Sequence, residues 1–221
     1  MSKQHLRTRL ACTLCGAQGT FFYAAPQDGR SYHHCPSCGL VWLDPADRLS
    51  RKDAFAHYRQ HQNSPSDPTY RRFLEQVWLP LREHLAPGAA GLDYGSGPGP
   101  TLHLMAKEDG YACRHYDPAF HPDKSVFGQQ YDFITCSETA EHFHQPKEEF
   151  RQLAALLRPG AWLALMTSRL TPETRFENWS YRLDHTHVCF YTDACFEWIA
   201  DNYGFERPHF HSSNVALLQK S

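Results

Sequence analysis

No apolar run in this 221-residue chain comes near the length a membrane-crossing helix needs, about 18 residues. No basic, then apolar, leader opens it either. The chain therefore reads as cytoplasmic and free of the membrane. An excess of one charge is also missing. The 22 Lys and Arg against 24 Asp and Glu leave a net charge of −2, which excludes any global pull toward nucleic acid. The imbalance that exists is internal and mild. Residues 1–92 carry 11 basic against 7 acidic side chains, and residues 93–221 carry 11 against 17. Basic side chains are scarcest between residues 10 and 44, where Arg30 is the single Lys or Arg. The pattern of a secreted disulfide framework is absent too: four of the eight cysteines sit in two Cys-x-x-Cys pairs near the N-terminus and the other four are scattered. In a reducing compartment that arrangement points to a metal.

Cys12-x-x-Cys15, 19 intervening residues and Cys35-x-x-Cys38 form the spacing of a four-cysteine zinc site. Gly16 and Gly39 follow the second cysteine of each pair, where a positive φ bends the chain round the metal. Thr20–Ala24 and Leu40–Leu43 read as short strands on either side of a turn at Gln27-Asp28-Gly29. This is a zinc ribbon. Four thiolates close a tetrahedron with no open position, so the metal is expected to be structural. Cys113, Cys136, Cys189 and Cys195 belong to no paired motif and are expected to be plain thiols.

The second concentrated signal is Leu92-Asp93-Tyr94-Gly95-Ser96-Gly97-Pro98-Gly99, where a short apolar run ends in a carboxylate and three glycines follow at alternate positions. A glycine-rich turn between strand and helix lets backbone approach a ligand and aims a helix N-terminus at it. A dinucleotide fingerprint requires Gly or Ala where this chain has Pro100. The pattern continues with a helix over Thr101–Glu108, a strand over Tyr111–Tyr116, a strand over Tyr131–Ser137, a helix over Lys147–Leu157 and a buried strand over Ala161–Thr167. A helix Asp193–Tyr203 and a hairpin of Phe205–His211 with Val215–Gln219 complete it. Such alternation predicts an α/β fold with a mostly parallel sheet and one reversed C-terminal strand. Asp117 closes the second strand 24 residues after Asp93, near the separation at which a carboxylate takes a ribose diol.

Between ribbon and sheet, residues 44–66 read as loop, with Tyr58, His61, Gln62 and Asn63 as a polar-aromatic group expected to cap the cofactor or line the substrate entrance. Asp67-Pro68 opens a helix carrying Tyr70, Phe73, Leu74, Val77, Trp78 and Leu81 as an apolar stripe, which Pro80 is expected to kink or divide. Tyr70 is a candidate cofactor contact. Residues 168–191 form a long insertion in which Trp179, Tyr181, Arg182, Asp184, His185 and His187 crowd together, as suits an acceptor-binding lid. Arg182 is suited to fork onto a carboxylate or phosphate. His185-x-His187 without a third ligand is a weak metal signature. The expected divisions are a zinc ribbon at 1–45, a helical linker at 46–90 and the cofactor-binding domain at 91–221.

Taken in order, Leu92–Gly99, Tyr116-Asp117-Pro118, Tyr131-Asp132-Phe133-Ile134 with Ser137-Glu138-x-x-Glu141-His142, Leu157-Arg158-Pro159-Gly160 and Asp184-x-Thr186-His187-Val188-x-Phe190-Tyr191 resemble class I S-adenosylmethionine-dependent methyltransferases. Within that class they resemble bacterial proteins with an N-terminal zinc ribbon. The resemblance implies a Rossmann-like sheet with S-adenosylmethionine across the ends of its first strands. It assigns Asp93, Tyr94, Gly95, Ser96, Gly97 and Gly99 to the methionine side, Asp117 with Pro118 to the ribose, and Ser137 with Glu138 to the region of the sulfonium. It also implies His142 as a base supported by Glu141, and the 168–191 insertion (Trp179, Tyr181, Arg182, Asp184, His187) as the wall of the acceptor pocket. One departure stands out. Only 13 residues separate Asp117 from Tyr131, with Pro118, Pro122 and Gly128 among them. That is too short for the usual helix and third strand, so the strand is expected to be lost or rudimentary and Asp123 becomes the candidate for the adenine amino group.

Three functions stay open on these grounds. The first is methyl transfer to a small molecule such as a sugar or metabolite, at a hydroxyl or an acidic carbon. The second is methylation of RNA or protein gripped by the ribbon. The third is non-catalytic binding of S-adenosylmethionine. The near absence of basic side chains from the ribbon favours the first.

Overall fold

The computed structural model describes residues 10–60 and 64–221; His61, Gln62 and Asn63 lie outside them. The ribbon is built on two tight turns. Gly16 (φ 78°) and Gly39 (φ 75°) both take the left-handed conformation expected of them, and their N–H groups close back onto Cys12 and Cys35 carbonyls at 2.9 Å each. Three antiparallel strands follow: β1 Thr20–Ala24, β2 Ser31–His34 and β3 Val41–Leu43. β2 is a strand that propensity does not announce, because Ser-Tyr-His-His has no β-branched residue. Burial supplies what propensity lacks: His33 stacks on Trp42 with ring centroids 5.5 Å apart, and its Nε2 lies 3.1 Å from Asp44 Oδ2.

The stretch expected to be loop instead contains a helix, α1 Arg51–Tyr58. It has no apolar stripe, so hydrophobic periodicity misses it. Its start is marked by Ser50, whose Oγ accepts from the Asp53 N–H. α2 Pro68–Arg82 begins on the Asp67 cap as expected. It is not divided by Pro80: the helix runs through that residue to Arg82. Leu74, Val77, Trp78 and Leu81 pack against Phe133, Trp162 and Met166 of the main sheet.

That sheet has six strands: β4 Ala90–Tyr94, β5 Ala112–Tyr116, β6 Tyr131–Ser137, β7 Leu157–Met166, β9 His209–Phe210 and β10 Val215–Gln219. Their order is β5-β4-β6-β7-β10-β9. β4, β5, β6 and β7 pair in parallel, and β10 runs antiparallel to both its neighbours. The helices α3 Thr101–Glu108, α4 Pro146–Ala155 and α6 Asp193–Tyr203 connect them. β7 starts at Leu157, earlier than expected, since Leu157 already pairs with Tyr131. No strand lies beyond β5 among the described residues, so the third strand is indeed missing. In its place stand a single bridge from Asp117 to His121 and a 3-10 turn over Lys124–Gly128.

The insertion does more than line a pocket. It holds a short helix, α5 Ser180–Leu183, and a strand, β8 Cys189–Phe190, that pairs with β3 and completes a four-stranded sheet with the ribbon. Ribbon residues Leu14, Tyr32 and Trp42 share one apolar core with Phe150, Phe190 and Phe196. A backbone path continues inward: the Leu43 N–H donates to Val188 O at 2.9 Å, and the Val188 N–H donates to Glu141 O at 2.8 Å. The four unpaired cysteines are all buried and free.

Candidate active site

β4 delivers Asp93 and Tyr94, and the chain then turns through Gly95 (φ 79°) and Gly97 (φ 64°). No side chain fits at Gly95: a Cβ there would stand 2.2 Å from the Thr139 side chain. Thr139 Oγ1 lies 3.1 Å from Gly95 O and 2.9 Å from Ser137 O, tying the end of β6 to the glycine corner. Asp93 is buried and accepts from Thr135 Oγ1 at 3.0 Å. Burial, opposed by that hydrogen bond, pushes its carboxyl up to about 7. Tyr94 donates its hydroxyl to Glu149. Asp117 accepts from the N–H groups of Gly97 (3.0 Å), Ala119 (2.8 Å) and Phe120 (3.0 Å). It therefore braces the corner and keeps at most one lone-pair direction for a ligand hydroxyl. The Ser96 and Ser137 hydroxyls are buried with no protein partner. A glycine cradle, two orphaned hydroxyls and the start of α3 fit a polar ligand of the S-adenosylmethionine kind. Asp123 is committed elsewhere: its carboxylate pairs with Arg114 at 2.9 Å and caps the Ser125 N–H.

Glu138 is the one non-glycine residue with positive φ (45°) among the described residues, and burial together with the charge of Glu141 raises its carboxyl to about 8. Glu141 follows in a 3-10 turn, Ala140–His142. Its side chain is fully buried, yet neither carboxylate oxygen has a hydrogen-bond partner. His142 and His187 converge on it from two segments. His142 Nδ1 lies 3.1 Å from Thr186 O and His187 Nδ1 lies 2.7 Å from Tyr181 O. A carbonyl only accepts, so both Nδ1 atoms carry the proton. Each Nε2 then points at Glu141 Oε1 from 3.9 Å. Burial lowers the His187 pKa below its ordinary value.

The expected lid residues separate into two groups. Tyr58 packs edge-on against His142, ring centroids 5.2 Å apart. Tyr181 packs tilted against His187 with ring centroids 4.2 Å apart and its hydroxyl 2.9 Å from Thr167 Oγ1, and Trp179 leans on Tyr181 at 5.2 Å. Asp184 accepts from Thr186 N and Oγ1 and holds the Thr186–His187 turn. Arg182 belongs elsewhere. It is 1% exposed and its guanidinium donates to Phe176 O, Glu177 O and Tyr32 Oη, so it braces the ribbon side of the insertion and offers no fork to an acceptor. His185 is exposed. Tyr70 is half-buried beside Phe73.

Sequence reasoning missed Thr139, whose side chain closes the cradle; its only signal was its position between Glu138 and Glu141. It also missed the meeting of Glu141 with His187, 46 residues apart in the chain, which no local pattern encodes. At the other end of the molecule, the Cys12 and Cys38 sulfurs are 3.6 Å apart, those of Cys15 and Cys35 are 3.3 Å apart, and all four lie within 4.8 Å of one another. That donor set fits a tetrahedral zinc ion.

A family model described as a methyltransferase domain matches residues 55–207, well over half of the chain. The chain belongs to the methyltransferase-domain family. Its sheet is that of the class I S-adenosylmethionine-dependent methyltransferases. It is 31% identical over 83 residues to the ubiquinone biosynthesis O-methyltransferase of Aeromonas salmonicida, covering 38% of this chain and 35% of that protein. To the Vibrio vulnificus protein of the same name it is 32% identical over 77 residues, 35% of this chain and 33% of that one. The chain thus spans about a third of the length of the curated relatives it matches. Among solved structures, an O-methyltransferase family protein from Burkholderia thailandensis superposes with a TM-score of 0.54 at 12% identity, over 77% of this chain and 62% of that one. CalO1, a methyltransferase in calicheamicin biosynthesis solved with S-adenosylhomocysteine, gives a TM-score of 0.52 at 10% identity, over 69% and 55% of the two chains. These likenesses speak to the fold.

Proposed function

We propose that this chain transfers a methyl group from S-adenosylmethionine to a hydroxyl of a small-molecule acceptor. The observation that carries the proposal is the cluster Glu141–His142–His187, joined to the glycine corner through Thr139. The O-methyltransferases among its relatives give the same direction. The cofactor supplies an activated methyl on a sulfonium. Gly95 to Gly99 with Asp93, Tyr94, Ser96, Ser137 and Glu138 would hold its methionine side, and Asp117 with Pro118 would take one ribose hydroxyl. The protein's own work is alignment, which can lower a barrier by roughly 7–11 kcal/mol, and activation of the acceptor oxygen. With Nδ1 tied to Thr186, His142 presents a basic Nε2 on the partly open side of the cluster. Tyr58, Trp179 and Tyr181 would enclose the acceptor. The four cysteines would hold a structural zinc.

Methylation of RNA through the ribbon is disfavoured. Arg30, the lone base there, is 6% exposed and bound to Asp28. Incubation with isotopically labelled S-adenosylmethionine and fractionated cell extract tests the proposal. Label is expected in small metabolites. Label confined to RNA or protein, or no calorimetric binding of S-adenosylmethionine at millimolar concentration, would overturn it. His142→Asn is expected to lower turnover by about 10²–10⁴-fold while cofactor affinity holds. Unchanged turnover would remove His142 from the mechanism.

A further inference from the structure

We propose that the groove between α3, β5 and the segment that replaces the missing strand is a binding site for the phosphate group of a small soluble phosphate monoester. The site lies outside the glycine corner and does not rest on the methyl-transfer reading. Three imidazoles line the groove, one from each of those elements: His103, His115 and His121. They meet edge to face, with ring centroids 4.5 Å apart for His103 and His115 and 4.7 Å apart for His115 and His121. The groove has a volume of about 520 Å³, room for a small phosphorylated molecule. His103 is 7% exposed, and its Nδ1 is buried without a hydrogen-bond partner. The Nε2 of His121 is in the same state. Burying a polar nitrogen without a partner is costly, and one ligand with several oxygens would relieve both.

The charge around the groove selects an anion. Burial first, then the charges of His115 and Lys107, lower the His103 pKa to about 4. Burial, then the charges of His121, Lys107 and Arg114, lower that of His115, with Asp123 acting in the opposite sense. Asp123 is the one carboxylate lining the groove, and it is 61% exposed and paired with Arg114. A metal ion would meet the same repulsion. It would also lack a ligand set, because among the described residues the three imidazoles bring no group of ligand atoms within 4.8 Å of one another. A phosphate monoester reverses both difficulties. Its three terminal oxygens accept from the imidazole nitrogens, and its negative charge favours their protonated forms. Binding therefore takes up protons, and affinity rises as pH falls.

The full chain is titrated calorimetrically with inorganic phosphate, glucose 6-phosphate and sulfate, with and without S-adenosylmethionine. Both phosphates are expected to bind, one per chain, in either case. Sulfate keeps a fixed charge near neutrality, so it reports the protein's own protons. Its affinity is expected to rise at least about tenfold between pH 8 and pH 6. His103→Gln and His121→Gln should each weaken phosphate by at least about tenfold at pH 6. Asp123→Asn, which removes the opposing carboxylate, should tighten it. If His103→Gln fails to fold, His121→Gln and Lys107→Ala, at an exposed position, provide the same comparison. Absence of phosphate binding at millimolar concentration overturns the proposal. So does binding that the histidine variants leave unchanged, or that S-adenosylmethionine displaces. Retention on phosphatidic acid vesicles without binding of the free phosphates overturns the assignment to a soluble ligand. Phosphate binding without S-adenosylmethionine binding defeats the methyltransferase reading and leaves the groove standing.

Discussion

Gly95 is the residue whose replacement separates backbone strain from steric exclusion. Its φ of 79° costs any L side chain about 1–2 kcal/mol, and the Thr139 side chain occupies the place a Cβ would need. Gly88 has a similar φ of 77°, and a Cβ added there would meet nothing within 4 Å. Gly95→Ala is therefore expected to lower the melting temperature more than Gly88→Ala and to weaken S-adenosylmethionine by about tenfold or more, which corresponds to about 1.4 kcal/mol. Melting curves and calorimetry on the two variants check this; equal losses would mean that Thr139 gives way. Asp93 carries a pH prediction. Its carboxyl is raised in the fold from 3.8 to about 7, by burial first. The neutral form is the one the fold favours, so the stability it contributes is present below about 3.8 and is lost as pH rises through about 7. Asp93→Asn cannot ionise, so its melting temperature should gain on that of the natural chain between about pH 4 and pH 7. A difference that stays constant across that range would contradict the assignment.

The ribbon and the insertion behave as one element although 153 residues separate Cys35 from Cys189. β3 pairs with β8, and Leu43, Val188 and Glu141 are linked backbone to backbone. Loss of a metal held by the four cysteines should therefore be felt at the histidine cluster. Cys35→Ser is expected to lower the melting temperature by at least about 5 °C and to reduce acceptor turnover more than cofactor affinity, since the glycine corner hangs from the other sheet. Separate melting, binding and turnover measurements check it; an unchanged melting temperature would argue against a metal-stabilised ribbon. Much of this element was legible in the chain. The paired cysteines and their glycines lie on two tight local turns that bring the four sulfurs together, so local sequence suffices. β2, α1 and β8 were not legible, because periodicity carries no mark of what holds them: His33 is held by Trp42 and Asp44, α1 by a cap without an apolar stripe, Cys189–Phe190 by β3.

At the scale of the whole molecule the sheet ends at β5, one strand short of the usual edge. Asp123 sits in the segment that replaces the strand. Its side chain is 61% exposed and committed to Arg114, so Asp123→Asn is expected to leave S-adenosylmethionine affinity within about twofold. A larger loss would place the adenine on that segment after all. The missing strand was foreseeable because 13 residues cannot hold a helix, a strand and two loops. Likewise the glycine corner and the parallel core were readable, since strand, turn and helix signals are local and their order allows few topologies. What the chain by itself determined is therefore the family fold, the four-cysteine cluster of the ribbon and the position of the glycine corner. The tertiary structure decided the rest: that Arg182 is turned inward to brace the ribbon, that Asp117 is taken up by the corner, and that His187 meets Glu141 and His142. The reason is physical. Periodicity and spacing record what neighbours along the chain require, whereas a buried carboxylate facing two imidazoles exists only where separate segments are packed together.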